Sequence, residues 1–151
     1  MRKPVQHKIF HKRNRGLTNC LVDNLPVTEL LQTTEIDNLL LLTSGPIPPN
    51  PSELLASGRF QAILEELKKE ADMVIIDCPP VIAVIDACVI AGKVDGVILV
   101  LAAGMVRPDM AKQAHELLKR ANGQVLGVIL NRVEIQAEHA YYYYGHEKSA
   151  N

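Results

Sequence analysis

The run MVIIDCPP at residues 73–80 is the feature that most constrains what this chain can fold into. Four apolar residues lead directly into Asp77, and two prolines follow soon after. A short apolar run bounded by breakers predicts a strand buried on both faces, as in a parallel sheet. Ligands of open α/β sheets bind outside the carboxyl ends of strands, so Asp77 is well placed to hold Mg²⁺ beside nucleotide phosphates. The alternative is that Asp77 only caps the turn.

Further strands and helices are predicted to alternate along the chain. Strands are expected at residues 39–42, 97–101 and 125–130, each a short apolar run. A helix should begin at Pro51, where Asn50 is a good N-cap and Glu53 can bond back to it, and should bend or restart at Ser57. Its inner stripe is Phe60, Ile63, Leu64 and Leu67. This alternation predicts an α/β fold in which a mostly parallel sheet is flanked by helices.

Two further helices are predicted in the second half of the chain. Residues 81–91 are apolar all round, as in a short buried helix, but Asp86 interrupts them and needs a partner or a ligand there. Another helix begins at Pro108 and ends with a left-handed cap at Asn122-Gly123. Asp77, the loop at Gly104 and Asn131 all follow predicted strands, so we expect them to share one rim of the sheet.

Charge and composition exclude several classes of protein. The 151 residues suit one domain, and a net charge of −1 implies no bulk attraction to nucleic acid or membrane. Residues 1–16 are basic, either as a solvated loop or as a patch that faces phosphates or acidic lipid. Three cysteines without metal spacing predict reduced thiols in a cytosolic protein. We find no apolar run long enough to span a membrane and no signal peptide.

The polar tail, residues 134–151, contains all four tyrosines of the chain, Tyr141, Tyr142, Tyr143 and Tyr144. A polar terminus is disordered by default, so these side chains are not expected in a core. As phosphate acceptors, the four would gain about −6 to −8 charges and repel a like neighbour. The alternative is a sticky aromatic tail without a function.

These segments together resemble the catalytic domain of the bacterial tyrosine kinases that control capsule and exopolysaccharide synthesis. The matching pieces are RKPVQHKIF at residues 2–10, SGPIPPNPSELLAS at 44–57, VIIDCPPVIAVIDA at 74–87, GVILNRV at 127–133 and the terminal tyrosines. The proline-rich segment and the tyrosine cluster are the specific features. The Asp77 strand alone would indicate only the wider class of deviant P-loop ATPases, which includes the partitioning-type ATPases.

The resemblance implies a P-loop NTPase fold of the deviant Walker type, with a partial kinase domain at residues 1–133 and the tyrosine tail at 134–151. It implies ATP and Mg²⁺ as cofactors, with Asp77 as the Walker B acid that supports the metal. Asn131 would lie on the adenine side and Asp86 close to the phosphates. Tyr141, Tyr142, Tyr143 and Tyr144 would be autophosphorylated in trans between subunits of a ring.

The resemblance also implies where such a protein works and with what. The expected partners are a membrane adaptor of the polysaccharide polymerisation and export machinery, a cognate tyrosine phosphatase and further copies of the chain, with no nucleic acid. The expected location is cytoplasmic, at the inner face of the membrane through the partner.

One part of the family's pattern is absent. No G-x-x-x-x-G-K-[ST] run exists in the 151 residues, and the family's second acidic motif, which precedes the RKP segment, is also missing. Phosphoryl transfer depends on the positioning that these parts supply, so we expect little or no kinase activity from this chain alone. The pattern suggests an N-terminally truncated kinase domain, and a missing strand would leave an exposed sheet edge beside Asp77. The alternative function is a non-catalytic phosphoacceptor or assembly piece; a partitioning-type ATPase is a weaker alternative, against which the tyrosine tetrad and the proline-rich segment argue.

Overall fold

A computed structural model describes residues 1–2 and 4–134, and its architecture is α/β. Strands β3 (Val97–Ala102) and β4 (Val125–Asn131) form a parallel pair, and strands β1 (Gln32–Thr33) and β2 (Leu40–Leu41) form a small antiparallel pair. The helices are α1 (Gln6–Ile9), α2 (Leu17–Val22), α3 (Pro51–Ala56), α4 (Gly58–Glu70), α5 (Asp86–Ala91) and α6 (Pro108–Arg120), with a 3₁₀ turn at Val27–Glu29. The predicted combination of helices with a parallel sheet is confirmed.

The core lies among the helices of the first half of the chain. Helix α4 contributes Phe60, Ile63 and Leu64, all buried, to a cluster with Val27 of the 3₁₀ turn and Cys20 of α2. The predicted apolar stripe of this helix is therefore confirmed as core, and the apolar area that it removes from water is a main source of the domain's stability.

The predicted boundary between the third and fourth helices is confirmed. Helix α3 begins at Pro51, and α4 restarts after Ser57, whose hydroxyl accepts the N–H of Phe60 at 3.3 Å. The capping box predicted at Asn50 takes another form, since its side-chain amide donates to the Glu53 carboxylate at 2.7 Å and makes no cap hydrogen bond to the backbone.

Helix α6 connects the two parallel strands in the predicted way. It begins at Pro108, buries Ala114 and Leu118, and is followed by Asn122 in the left-handed conformation, with φ of 58°. Gly123 then packs closely on α5, where an added Cβ would lie 2.8 Å from the Cβ of Ala91. The chain can turn into β4 here because Asn tolerates the left-handed region and Gly adds no side chain.

The prediction of a strand at residues 73–76 is wrong. Residues 73–80 form neither strand nor helix, and the side chains of Met73 and Ile75 are 76% and 86% exposed. Ile76 and Cys78, which alternate with them, pack against the core. The segment lacks regular structure because no other described strand pairs with it, so its outward side chains are uncovered.

Four smaller predictions also need correction. The strand predicted at residues 39–42 is only Leu40–Leu41, and it pairs antiparallel to β1 rather than within a parallel sheet. The helix predicted at 81–91 begins only at Asp86, after turns. A one-turn helix, α1, follows Pro4 in the segment expected to be a loop, because a proline restricts only the residues around it. Strand β3 is not fully buried, since its alternate side chains are exposed.

Within residues 1–2 and 4–134, none of the helices has the length and apolar character needed to cross a membrane.

Candidate nucleotide-side rim

Asp77 lies where the apolar segment meets the first helix. Its carboxylate is exposed, and the side-chain amide of Gln6 in α1 donates to its Oδ2 at 3.2 Å. The neighbouring Cys78 is half-buried, and burial together with the charges of Asp77 and Asp86 raises the pKa of its thiol to about 11. Asp77 is therefore an accessible carboxylate, as a role in supporting Mg²⁺ would require.

Asp86, in contrast, is enclosed. It is the first residue of α5 and only 2% exposed. Arg2 donates two hydrogen bonds to the Asp86 carboxylate, from Nε to Oδ2 at 2.7 Å and from Nη2 to Oδ1 at 2.8 Å. The Ser52 hydroxyl also donates to Oδ1, at 2.7 Å. The hydrogen bonds from Arg2, and then that from Ser52, hold the pKa of Asp86 below its usual range, although burial opposes this.

The Arg2–Asp86–Ser52 cluster joins three segments that are far apart in the sequence. Arg2 belongs to the basic start, Ser52 to the first turn of α3, and Asp86 to the first turn of α5. The expectation that an acid in the apolar run needs a partner is thus confirmed. Both oxygens of Asp86 already accept hydrogen bonds within the protein. The expected place of Asp86 close to the phosphates is still a prediction.

Asn131 ends β4 beside the loop that follows β3. Its backbone carbonyl accepts the N–H of Ala103 at 2.8 Å, and its side-chain Oδ1 accepts the N–H of Arg132 at 2.8 Å. Gly104 turns that loop with φ of 70°, a conformation that favours glycine. The carboxyl ends of the two parallel strands therefore meet at one rim, with the Asn131 side chain exposed there. Its predicted role on the adenine side is untested by these contacts.

Sequence reasoning missed the partners of the two acids. The sequence shows Gln6 and Arg2 only as members of a basic segment, and Ser52 only as part of a helix start. These residues are separated from their carboxylates by 71, 84 and 34 positions, so no local pattern connects them. Tyr141, Tyr142, Tyr143 and Tyr144 lie outside the residues that the structure describes.

The rim does not provide a complete site for ATP and Mg²⁺. Across residues 1–2 and 4–134, no group of three or more His, Cys, Asp or Glu side chains could hold a metal ion. Asp77 offers one exposed carboxylate, which accepts a hydrogen bond from Gln6, and the sequence contains no glycine-rich loop with a lysine to cradle phosphates. Among the described residues no hydrogen bond joins Asp77 to Asn131, and the 151 residues contain no phosphate-binding motif.

Comparison with known proteins identifies close relatives, although no family model matches the chain. The chain is 43% identical to CapB of Staphylococcus aureus over 145 residues, which cover 95% of this chain and 64% of that protein. It is 38% identical to the tyrosine-protein kinase YwqD of Bacillus subtilis over 146 residues, covering 96% of this chain and 62% of that protein. The chain thus spans somewhat less than two thirds of the length of these relatives.

Solved structures share the fold as well as the sequence. The chimerical protein CapA2B2 superposes with a TM-score of 0.83 at 39% identity, over 89% of this chain and 60% of that one. The VpsO kinase domain superposes with a TM-score of 0.81 at 33% identity, over 88% of this chain and 66% of that one. Sequence and fold together therefore assign the chain to the bacterial tyrosine kinases, as a part of their kinase domain.

Proposed function

We propose that this chain is a portion of an ATP-dependent protein tyrosine autokinase that regulates capsule or exopolysaccharide synthesis. The observation that carries the proposal is the kinase-domain fold shared over about nine tenths of the chain at 33–39% identity. In this proposal Asp77 supports Mg²⁺, Asn131 contacts the adenine side of ATP, and Asp86 lies close to the phosphates. The phosphate acceptors are Tyr141, Tyr142, Tyr143 and Tyr144, modified in trans by a neighbouring subunit.

By itself the chain should transfer little or no phosphate. Phosphoryl transfer depends on donors that surround the transferred group and neutralise its charge. The described residues supply the exposed carboxylate of Asp77, whereas the carboxylate of Asp86 is already paired with Arg2. The loop that would cradle the phosphates is absent from the sequence. Catalysis therefore requires residues beyond these 151.

A chimera tests the kinase proposal. The residues of the Staphylococcus aureus relative that lie outside the match would be fused to this chain, and ATP-dependent tyrosine phosphorylation would be measured by mass spectrometry. We expect activity in the chimera and a loss of about hundredfold or more in its Asp77→Asn variant. Asparagine keeps an oxygen that can accept from Gln6, so the variant removes charge with little change of shape. A folded chimera without activity would contradict the proposal.

The second candidate function is that of a phosphoacceptor. It is favoured by the concentration of all four tyrosines in the last eleven residues of a chain that lacks the phosphate-binding motif. A complete kinase of the family would modify Tyr141, Tyr142, Tyr143 and Tyr144 in trans. The test is incubation with an intact relative and ATP, with a variant that carries phenylalanine at all four positions as the control. Absence of any phosphate on the four tyrosines would exclude this role.

The proposed setting follows from the family. The chain would act at the cytoplasmic face of the membrane through an adaptor of the polysaccharide polymerisation and export machinery, and a cognate tyrosine phosphatase would reverse the modification. Self-association would bring one subunit's tail to another's site, and about −6 to −8 added charges would then loosen the assembly.

A further inference from the structure

The first helix presents apolar and basic side chains together on its exposed side. Lys8 and Ile9 lie three and four positions after Val5, so the three side chains are neighbours on one face of the turn. All three are exposed, Val5 to 50% and Ile9 to 62%. Gln6 lies outside this face and donates to Asp77. One side of α1 is therefore attached to the protein, while a mixed apolar and basic face meets the solvent.

More basic side chains follow this face directly along the chain. They are Lys12, Arg13 and Arg15, and the sequence contains no acid before Asp23. Within the described part of the chain, every ion pair uses a basic residue outside residues 5–15. The positive charge of this segment is thus available to an anion from outside the protein.

The backbone that carries the two arginines is held in place. The Gln32 side chain accepts the N–H of Arg13 at 3.1 Å and donates to the Arg13 carbonyl at 3.0 Å, and the Thr43 hydroxyl donates to the same carbonyl at 3.3 Å. Arg13 and Arg15 are exposed and line an open hollow of about 240 Å³, together with Glu29. The hollow is large enough for a phosphate group, which the two arginines attract and the Glu29 carboxylate opposes.

The combination of positive charge and exposed aliphatic side chains favours a lipid surface over other anions. A phosphorylated peptide or a free phosphate gains from lysine and arginine but gains little from Val5 and Ile9. An anionic leaflet satisfies both, because its headgroups attract Lys and Arg while aliphatic side chains enter the boundary between headgroups and acyl chains. Single-stranded nucleic acid would be matched by exposed aromatic side chains, whereas Phe10 of this segment is half-buried.

We propose that the chain itself binds anionic phospholipids through a basic surface, formed by Val5, Lys8, Ile9, Lys12, Arg13 and Arg15. A cluster of about four Lys and Arg side chains suffices for such binding, and each of them strengthens it about fivefold. The net charge of −1 does not prevent this, because charges more than about 8 Å away are screened at physiological ionic strength. The contact would add to any contact with a protein partner, and it requires neither nucleotide nor tyrosine phosphorylation.

Cosedimentation with lipid vesicles tests this binding on the whole 151-residue chain. Vesicles of phosphatidylcholine with phosphatidylglycerol should bind the chain, and vesicles of phosphatidylcholine alone should bind it at least about tenfold more weakly. Raising the salt concentration should release the chain. Inorganic phosphate should release no more of it than chloride does at equal ionic strength, which distinguishes a lipid surface from free phosphate as the ligand.

Matched lysine variants locate the binding on this surface. Lys8→Gln combined with Lys12→Gln should bind anionic vesicles about twenty-fivefold more weakly, since each lysine contributes about fivefold. The control combines Lys112→Gln with Lys119→Gln, which changes the net charge equally at two exposed positions of α6 and should bind normally.

A second pair of variants tests the apolar part of the surface. Ile9→Ser should weaken binding to anionic vesicles by about threefold or more, because the aliphatic side chain no longer enters the leaflet. Ile36→Ser changes a side chain of similar exposure, 58% against 62%, and should bind like the unchanged chain. Circular dichroism checks that each variant is folded like the unchanged chain.

Three results would overturn the proposal. The first is equal binding to vesicles with and without phosphatidylglycerol. The second is equal binding by the two double lysine variants. The third is absence of binding to anionic vesicles; if a synthetic peptide of residues 138–147, phosphorylated on its tyrosines, bound instead, the surface would belong to a phosphorylated tail. Since none of these readouts needs nucleotide, an inactive chimera would count against the proposed function and not against lipid binding.

Discussion

Replacing Asp86 with alanine should destabilise the domain by about 2 to 3 kcal/mol, because it removes the acceptor at the centre of the Arg2–Asp86–Ser52 cluster. Asp86 is 2% exposed, and its carboxylate accepts three hydrogen bonds of 2.7–2.8 Å. Without it the Ser52 hydroxyl loses its acceptor, and the first turn of α5 loses a negative charge at its N-terminus. The loss falls short of that for a fully buried pair, because the Arg2 side chain is 39% exposed and can return to water.

Urea unfolding followed by circular dichroism measures this loss. Arg2→Gln should cost less than Asp86→Ala, since Ser52 still donates to the carboxylate. The double variant should be hardly less stable than Asp86→Ala alone, because both changes break the same interaction. An unfolding midpoint of Asp86→Ala equal to that of the unchanged chain would refute the reasoning, as would strictly additive losses.

Three more predictions follow from burial and pKa. The pKa of Asp86 in the folded chain lies below its value of about 3.9 in an unfolded chain, so the stability that Asp86 contributes is full above about pH 3.9 and is lost as pH falls through the folded pKa. Unfolding measured at a series of acid pH values should show this loss for the unchanged chain and not for Asp86→Asn. The pKa of Cys78 is raised to about 11, so at pH 8 iodoacetamide should alkylate this thiol more slowly than an exposed model thiol, and equal alkylation rates would contradict the raised pKa. The stability that Cys78 contributes to the fold should also fall as pH rises from about 9 towards 11. Phe60→Ala should cost about 3–5 kcal/mol, because this side chain is 1% exposed at the centre of the core, whereas Ile36→Ala should change the urea midpoint little.

Features set by neighbouring residues could be read from the sequence. The helix starts at Pro51 and Pro108, the restart at Ser57 and the left-handed Asn122 all follow from local backbone preferences, and the structure contains each of them. The buried stripe of α4 could be predicted because its helical period is visible within one turn and the next.

Features that depend on distant partners could not be read in this way. Residues 73–76 have the composition of a buried strand, yet a strand exists only where a neighbour pairs with it, and none does so among the described residues. The cluster at Asp86 joins positions 84 and 34 residues apart, so composition indicated the need for a partner but not its identity. The expectation that Asn131 lies beside the loop after β3 could be read from the sequence, because two parallel strands end at the same edge of a sheet. In the structure the N–H of Ala103 in that loop donates to the Asn131 carbonyl.

Calorimetric titration of the purified chain with ATP and Mg²⁺ tests the proposed function most directly, namely the proposal that these residues belong to a kinase site and need a phosphate-binding loop that the 151 residues do not contain. The account predicts no binding heat at micromolar concentrations of the chain, both for the unchanged chain and for Asp77→Asn. Clear micromolar binding that Asp77→Asn abolishes would contradict it, since Asp77 would then help to hold nucleotide without residues from elsewhere.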